Sequence, residues 1–478
     1  MIVSKVMDPT TYDPVIPIDN PAIWDILLMF DQLVRMNREG TGTEPGLAES
    51  VDVSDDGLVY TFHLRRGVKF HDGTPMTAED VKFSIDRLYQ HPRSFFSDMF
   101  QIIKGTRIID PYTFEVTLKK KYVPFLSTMA LFSASIVPKK YMEAKGEEYF
   151  GTHPVGTGPF KFVEWRRGDE IVLERFKDHW RKGMPYLDAV RLKIIPESNT
   201  RILNIMNKDI HVANFIPYNM IAQLKANPDI DMQINPLTKI DFLLFNHLKE
   251  PYNDLKIRQA MNYAVDRKAI IKSVLFGYGE VANTFLPNML GLDRSIKGYT
   301  YDLEKAKQLM KESSRPNGFK TTLLNIAGSA EYTQRAVILK EQLAKIGIDV
   351  NIEMVEEGTW WDRISQLDYE ISDAYMTTDI VDPDELLFFA CVYGGGSKAY
   401  FTSWRNEEFD KLARATQTET DHEKRMKMYS RLQQMQVDDA QLLLLYRSPS
   451  RCAVLKTVHN FKVLPTGNYR LEEVWLEE

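Results

Sequence analysis

Hydrophobic positions along the chain switch repeatedly between a period of two and a period of three to four. In VYTFHLRRGVKF (59–70), Tyr60, Phe62 and Leu64 alternate with Thr61, His63 and Arg65, which predicts a half-buried strand and a turn. Thr77 then supplies a helix cap. Asp80, three positions on, replaces the usual Glu or Gln of a capping box but still suits the positive end of a helix. Val81, Ile85 and Leu88 share one face of that helix. FEVTLKK (114–120) is another alternating strand, and KFVEWRRGDEIVLERF (161–176) reads as two strands joined at Gly168. IDFLLFN (240–246) is largely apolar. DLKIRQAMNYAVDRKAIIKSVLFG (254–277) has helical spacing, with Asp266 capping a second helix that ends at Gly277. Ala336, Leu339, Leu343 and Ile346 mark a further helix stopped by Gly347, after which Val350, Ile352 and Met354 alternate. Leu432 and Met435 lie on a late helix before a strand at 441–446. This alternation predicts α/β layers without fixing strand order. The Gly-, Pro- and Asn-rich stretch 278–300 reads as a surface connection.

Length makes more than one lobe necessary: the chain has 478 residues, and a single core stops growing at about 250–300. The formal net charge is −6 and basic residues are interspersed with acidic ones, so a nucleic-acid partner is not expected. The two cysteines, Cys391 and Cys452, form no CxxC, which disfavours a disulfide scaffold or a structural zinc site and leaves the compartment undecided. No apolar run approaches the roughly 18–20 residues of a membrane span. The N-terminus, MIVSKVMDPTTYDP, begins almost directly with a strand and a turn and shows no signal peptide. Two expectations follow: a cytoplasmic protein, or a mature chain whose signal has been removed.

Several longer stretches occur in a recognisable order: DPTTYDP (8–14), YTFHLRRGVKFHDGTPMTAEDVKFS (60–84), PVGTGPFKF (154–162), RQAMNYAVDRKAI (258–270), YDLEKAKQLM (301–310) and DPDELL (382–387). With these the chain resembles family 5 of the extracellular solute-binding proteins, the dipeptide-, oligopeptide- and nickel-binding components of ABC transporters. The resemblance implies a two-lobed α/β fold of the periplasmic-binding-protein type with an inserted subdomain. Its first lobe would comprise 1–29, 156–243 and 449–478, the inserted subdomain 30–155, and the second lobe 244–448. It also implies a monomer outside the cytoplasm, without cofactor, that closes its two lobes on a solute and delivers it to a membrane permease. A short peptide is the preferred solute. The 60–84 stretch reads as scaffold, because Gly67 and Gly73 suit tight turns and Asp72 can satisfy backbone donors beside them. GTGPF lacks the Gly-Lys-Ser/Thr ending of a phosphate loop.

In peptide-binding relatives an aspartate in a W-x-x-D stretch receives the ligand's ammonium group. Asp379 matches that aspartate, while Met376 stands where tryptophan is usual and offers a soft apolar surface instead. A carboxylate there can form a charge-assisted pair with an ammonium, and it equally suits the start of the DIVDPD turn; both uses stay open. Asp382, before Pro383, reads as a structural turn. Backbone groups of Tyr375, Met376 and Thr377 can take an extended peptide as an added strand. Trp360 and Trp361 point oppositely on a strand and diverge by about 100° on a helix, so one can be core while the other faces the solute. In the first lobe, IPIDNPAIW (16–24), with Asn20 and Trp24, and HPRSFF (91–96) are candidate rims.

An enzyme is the alternative of a different class. No HExxH helix or GxSxG elbow occurs, and the nine histidines are dispersed. His63 and His71 would bind metal only if the fold brought partners to them. An opine, an amino-acid conjugate, an oligosaccharide or chelated nickel are alternative solutes.

Overall fold

The computed structural model describes residues 1–17, 19–393 and 401–477, and in it the predicted alternation forms two α/β lobes. Ile18, within the candidate rim IPIDNPAIW, lies outside the described residues. The first lobe comprises Met1–Asn235, Asp379–Val381 and Ser450–Glu478; the second comprises Pro236–Thr378 and Asp382–Pro449.

A seven-stranded sheet organises the first lobe, in the order Ile230–Gln233, Cys452–Leu455, Val212–Asn214, Ile2–Lys5, Ala189–Ile194, Glu170–Arg175 and Phe160–Arg166. Ile2–Lys5 runs parallel to both neighbours. The last two strands form the hairpin expected at Gly168, whose φ of 73° lies in the left-handed region. A separate antiparallel sheet, Ala48–Val53, Val59–Leu64, Thr113–Leu118 and Ile103–Asp110, falls within the 30–155 stretch. Tyr60, Phe62 and Leu64 are its buried positions, as their alternation predicts. The helix Ala78–Gln90 packs on this sheet. Its capping box is complete: Thr77 accepts from the Glu79 amide at 3.3 Å, and Asp80 accepts from the Thr77 amide at 3.0 Å.

Two of the family-like stretches meet here. The Gly156 amide donates to His71 Nδ1 at 3.2 Å, and His71 Nε2 lies 3.0 Å from the Gly158 carbonyl oxygen. Burial pushes His71 down to about 4, so the imidazole is neutral and its two nitrogens serve as one acceptor and one donor. The glycines of GTGPF are required by contact rather than by dihedral angle. A Cβ on Gly156 would lie 2.2 Å from the Met29 carbonyl oxygen, and one on Gly158 2.4 Å from the Met29 carbonyl carbon.

The second lobe is built on a six-stranded sheet in the order Glu280–Val281, Leu442–Arg447, Lys239–Phe245, Ile371–Thr377, Phe319–Ile326 and Ile348–Val355. One face carries Ile240, Phe242, Leu244, Ala374 and Met376 into a core shared with Trp360, Ile364, Leu432 and Met435. The capping role expected of Asp266 is present, its side chain accepting from the Ala269 amide at 3.0 Å. The stretch 278–300 is more than a surface connection. Ala282, Phe285 and Leu286 are buried, and the backbone folds around Arg447, whose guanidinium donates to the Leu286 and Thr284 carbonyls at 2.7 and 3.2 Å. A buried cation needs acceptors, and here an irregular segment supplies them.

Gly156→Ala and Gly158→Ala are each expected to destabilise the protein by about 2 kcal/mol or more, since the added methyl meets rigid backbone. A urea midpoint matching the parent's would contradict this packing account.

Candidate functional site

In the first lobe, Asp19 caps the helix Asn20–Met29 by accepting from the Ala22 amide at 2.9 Å, with Pro21 in the first turn. A buried network anchors the helix to the first strand: Lys5 pairs with Asp25 and donates to the Pro21 carbonyl at 2.6 Å, and Tyr12 donates to Asp25 at 2.9 Å. Asn20 is half-buried at the start of this helix. Trp24, one turn on, is also half-buried; its ring stacks on Phe215 at 5.8 Å and meets Tyr469 at 6.4 Å. Phe95 and Phe96 of the other candidate rim pack edge to face at 5.1 Å, with Phe96 extending to Phe132.

Asp379 lies in the wall of a first-lobe recess of about 50 Å³, together with Asp31, Arg35, His179, Arg470 and Glu472, over an apolar floor that includes Phe30, Met36 and Leu464. Several charges of this wall are paired. Arg35 pairs with Glu44 at 2.8 Å and Glu472 at 3.0 Å, and Arg470 pairs with Glu44 at 3.0 Å. Asp31 accepts from Thr157 at 3.0 Å and from the Trp180 indole at 2.9 Å. Burial pushes the Asp31 carboxyl up, but His179, Trp180 and Arg35 outweigh it and hold the group below its usual range. Asp379 behaves differently: burial raises its carboxyl to about 7. Val381, two residues on, packs with Met36 and Leu464.

In the second lobe, Ile371–Thr377 pairs with Lys239–Phe245 along its whole length, from Phe245↔Ile371 to Lys239↔Thr377. On its other side Phe319–Ile326 meets it only at Leu323↔Ile371 and Leu324↔Ser372. From Asp373 onward, therefore, a single strand runs alongside it among the described residues. Tyr375 and Thr377 are half-buried on one face, with Lys239 Nζ 5.1 Å from the Tyr375 ring. Met376 projects to the opposite face and is 8% exposed within the core, which corrects the expectation that its side chain offers a surface to the solute. The cause is strand alternation, which sends neighbours to opposite faces; the Met376 main chain still lies on the one-sided stretch. The tryptophan pair divides as helical geometry requires. Trp360 is fully buried and its indole donates to Ser372 at 2.8 Å, so it is core. Trp361 is half-buried, edge-on to Trp360 at 4.8 Å and to Phe401 at 6.4 Å. Asp382 is fixed by two bonds from Arg425, at 2.7 and 2.9 Å, and one from Tyr429 at 3.1 Å, in keeping with a turn role.

Sequence reasoning missed a charged network on the same face as Tyr375, away from the core. Arg335 donates to Asp373 at 2.8 and 2.6 Å, to Asp241 at 3.2 Å and to Tyr446. Lys239 and Ser448 also bond Asp241, at 3.0 and 2.8 Å. The signal lay in two strands: Asp241 in IDFLLF and Asp373 in ISDAYM are lone acids in apolar runs, which burial obliges to find partners. Burial pushes Asp373 to about 6 despite Arg335, whereas Lys239 and Arg335 overcome burial at Asp241 and hold it low. Among the described residues no group of three His, Cys, Asp or Glu side chains converges as a metal site. His63 instead contacts Asp52 at 2.7 Å.

Residues 42–397 match the family model of the bacterial extracellular solute-binding proteins, family 5. The chain belongs to that family. It is 31% identical over 479 residues to the dipeptide-binding protein of Escherichia coli K12, covering 94% of this chain and 89% of that protein. Among solved structures, the ABC transporter-associated periplasmic binding protein DppA from Helicobacter pylori, in complex with the peptide STSA, superposes with a TM-score of 0.93 at 30% identity, over 100% of this chain and 98% of that one. AgaA of A. tumefaciens R10, in complex with agropinic acid, gives 0.90 at 28% identity, over 100% and 99%. As a family 5 member the chain is an extracytoplasmic solute-binding protein with the two-lobed fold, and not an enzyme.

Two outcomes are expected of these buried acids. Arg335→Ala should destabilise the protein by about 3–5 kcal/mol, because it strands Asp373 without its guanidinium; a urea midpoint unchanged from the parent would contradict it. Asp379→Asn should act in the opposite sense. The folded carboxyl titrates near 7, above its unfolded value of about 3.9. The folded state therefore binds more protons between those values, and stability is lost as pH rises through 7. The Asn variant, without ligand, should melt at least ~2 °C above the parent at pH 8 and level with it near pH 3.5. Equal melting temperatures at both pH values would argue against a perturbed Asp379.

Proposed function

We propose that the protein captures a short peptide and delivers it to the permease of an ABC transporter. The peptide's free N-terminal ammonium is held at Asp379 and its backbone lies along the strand Ile371–Thr377. The observation that carries this reading is the strand itself. Among the described residues it is paired with one strand beyond Ser372, and two residues past its end comes a carboxylate whose shift is caused by burial. Main-chain hydrogen bonding gives affinity that tolerates many side chains, while an ion pair at one end fixes register. Tyr375 and Thr377 flank the bound backbone, Met376 contributes its main chain, and Trp361 supplies the aromatic surface that Trp360 backs from the core. Asn20 and Trp24 belong to the first lobe's share of the site. Closure of the lobes on the solute is the change of state that the permease reads. The dipeptide-binding relative and the peptide complex of DppA support a peptide. The likeness to AgaA with agropinic acid favours an opine as the second reading.

Calorimetry with one tripeptide in free and N-acetylated forms separates these. The free form should bind at least tenfold more tightly, and Asp379→Ala should remove the difference. Ionisation of Asp379 is part of binding, so complex formation below pH 7 should release a proton. Affinity should fall by up to tenfold per pH unit on further acidification, and fall again above about 8, where the α-amino group deprotonates. Equal affinity for free and acetylated peptide, or agropinic acid binding where peptides do not, would overturn the peptide reading.

A further inference from the structure

Asp379 stands at the start of a loop whose two ends are tied to each other. Thr378, the residue before it, is fully buried, and its hydroxyl donates to Oε2 of Glu385 at 2.5 Å. Residues 379–384 lie between the two, so this bond closes the neck of the loop that carries Asp379. Glu385 is itself buried and opens the helical turn Glu385–Phe389, whose Leu386 and Leu387 are sunk in the second-lobe core. Close packing therefore makes that side of the neck a firm anchor. On the strand side, buried Thr238 grips the main chain of Thr378. The Thr378 amide donates to the Thr238 carbonyl at 3.2 Å, and the Thr238 hydroxyl donates to the Thr378 carbonyl at 3.0 Å. That carbonyl and the Asp379 amide belong to one planar peptide, so the Thr238 hydroxyl orients the plane from which Asp379 begins.

We propose that Thr378, Glu385 and Thr238 are positioning residues for solute capture: their clasp fixes where the Asp379 carboxyl is presented to the solute's ammonium. The inference rests on the peptide reading above, and none of the three needs to touch the solute. A charge-assisted pair is short and directional. A site that must hold its charged group to within about 0.5 Å loses affinity when the bonds supporting that group are removed. The far end of the loop has restraints of its own: Arg425 and Tyr429 hold Asp382, and Gln417 donates to Asp384 at 3.3 Å. Asp379 lies at the near end, next to Thr378. The clasp also keeps its carboxyl away from water. Burial raises that carboxyl to about 7, and a loop open at its neck would let it hydrate and return toward its ordinary value of about 3.9. The charged groups of the recess wall, Asp31, Arg35, His179, Arg470 and Glu472, stay in place when Thr378 is substituted, so such a return would report on the loop.

Thr378→Val keeps the shape of the side chain and removes the donor, while Thr378→Ser keeps the donor. Calorimetry with free and N-acetylated Ala-Ala-Ala, repeated along a pH series, reads affinity and protonation together. Thr378→Val should bind the free peptide about tenfold more weakly than the parent, the scale of one lost buried hydrogen bond, and the acetylated form within about threefold. The pH below which affinity for the free peptide falls should move down by about one unit or more. Thr378→Ser should recover both. Thr238→Val, which loses the bond to the Thr378 carbonyl, should move both readouts in the same direction, and it takes the place of Thr378→Val should that variant not fold. A folded Thr378→Val protein with the parent's preference for the free peptide and the parent's pH profile would overturn the clasp and leave the ammonium site standing. Equal losses for both peptides with an unmoved pH profile would overturn it as well, because general loosening acts in that way. Equal affinity for the two peptides in the unaltered protein would remove the peptide reading, and the clasp's role with it.

Discussion

Loss of solvation around a carboxylate disfavours its charged form, and the candidate site depends on the protein imposing that loss on Asp379. A buried carboxyl keeps its place only where the surroundings are stiff, and the neighbouring sequence is stiff on both sides. Upstream, Ile371–Thr377 is pinned along its full length by Lys239–Phe245. Downstream, Val381 is packed with Met36 and Leu464, and the next residue, Asp382, is clamped by Arg425 and Tyr429 while capping the Asp384 amide at 3.0 Å. The carboxylate has little freedom to swing into solvent and shed the penalty.

Other buried acids show how the chain treats charge that serves structure. Asp31, Asp241, Asp373 and Asp382 are each met by named donors from arginine, lysine, tryptophan or hydroxyl groups. Removing a partner from such a pair is far more damaging than the pair is stabilising, so these networks specify geometry more than they add stability. Arg335 ties three strands to one helix at the level of Asp241, Asp373 and Tyr446, next to Tyr375. That makes the half-paired strand a rigid template, and a template that does not deform can offer the same hydrogen-bond pattern to peptides of different sequence.

Much of the fold was legible in the chain because the relevant physics is local. The alternation of Tyr60, Phe62 and Leu64, the caps at Thr77 and Asp266, and the turn at Gly168 each depend on a few adjacent residues. Asp379 became a candidate through resemblance, and the divergence of adjacent side chains separated Trp360 from Trp361 without saying which of them is core. The rest turned on contacts across the fold. Met376 was misplaced because sequence cannot say which phase of a two-residue alternation faces the core when both neighbours, Tyr375 and Thr377, are also tolerable there. Arg335 was overlooked because its helix was read by its apolar positions, and its partners lie 38 and 94 residues away in the chain. The stretch 278–300 has the composition of a loop, and its burial follows from Arg447, a cation that needs carbonyls around it.

The proposed site would divide the work of recognition by chemistry. Backbone pairing along Ile371–Thr377 would be indifferent to side chains, and an ion pair at Asp379 would be indifferent to everything but a free ammonium and its distance from that strand. Either alone would accept nearly any peptide of suitable length. Discrimination requires an interaction that a competitor fails to make and that leaves a buried group unsatisfied when it fails, since an unpaired polar group is penalised more heavily than a missing methylene.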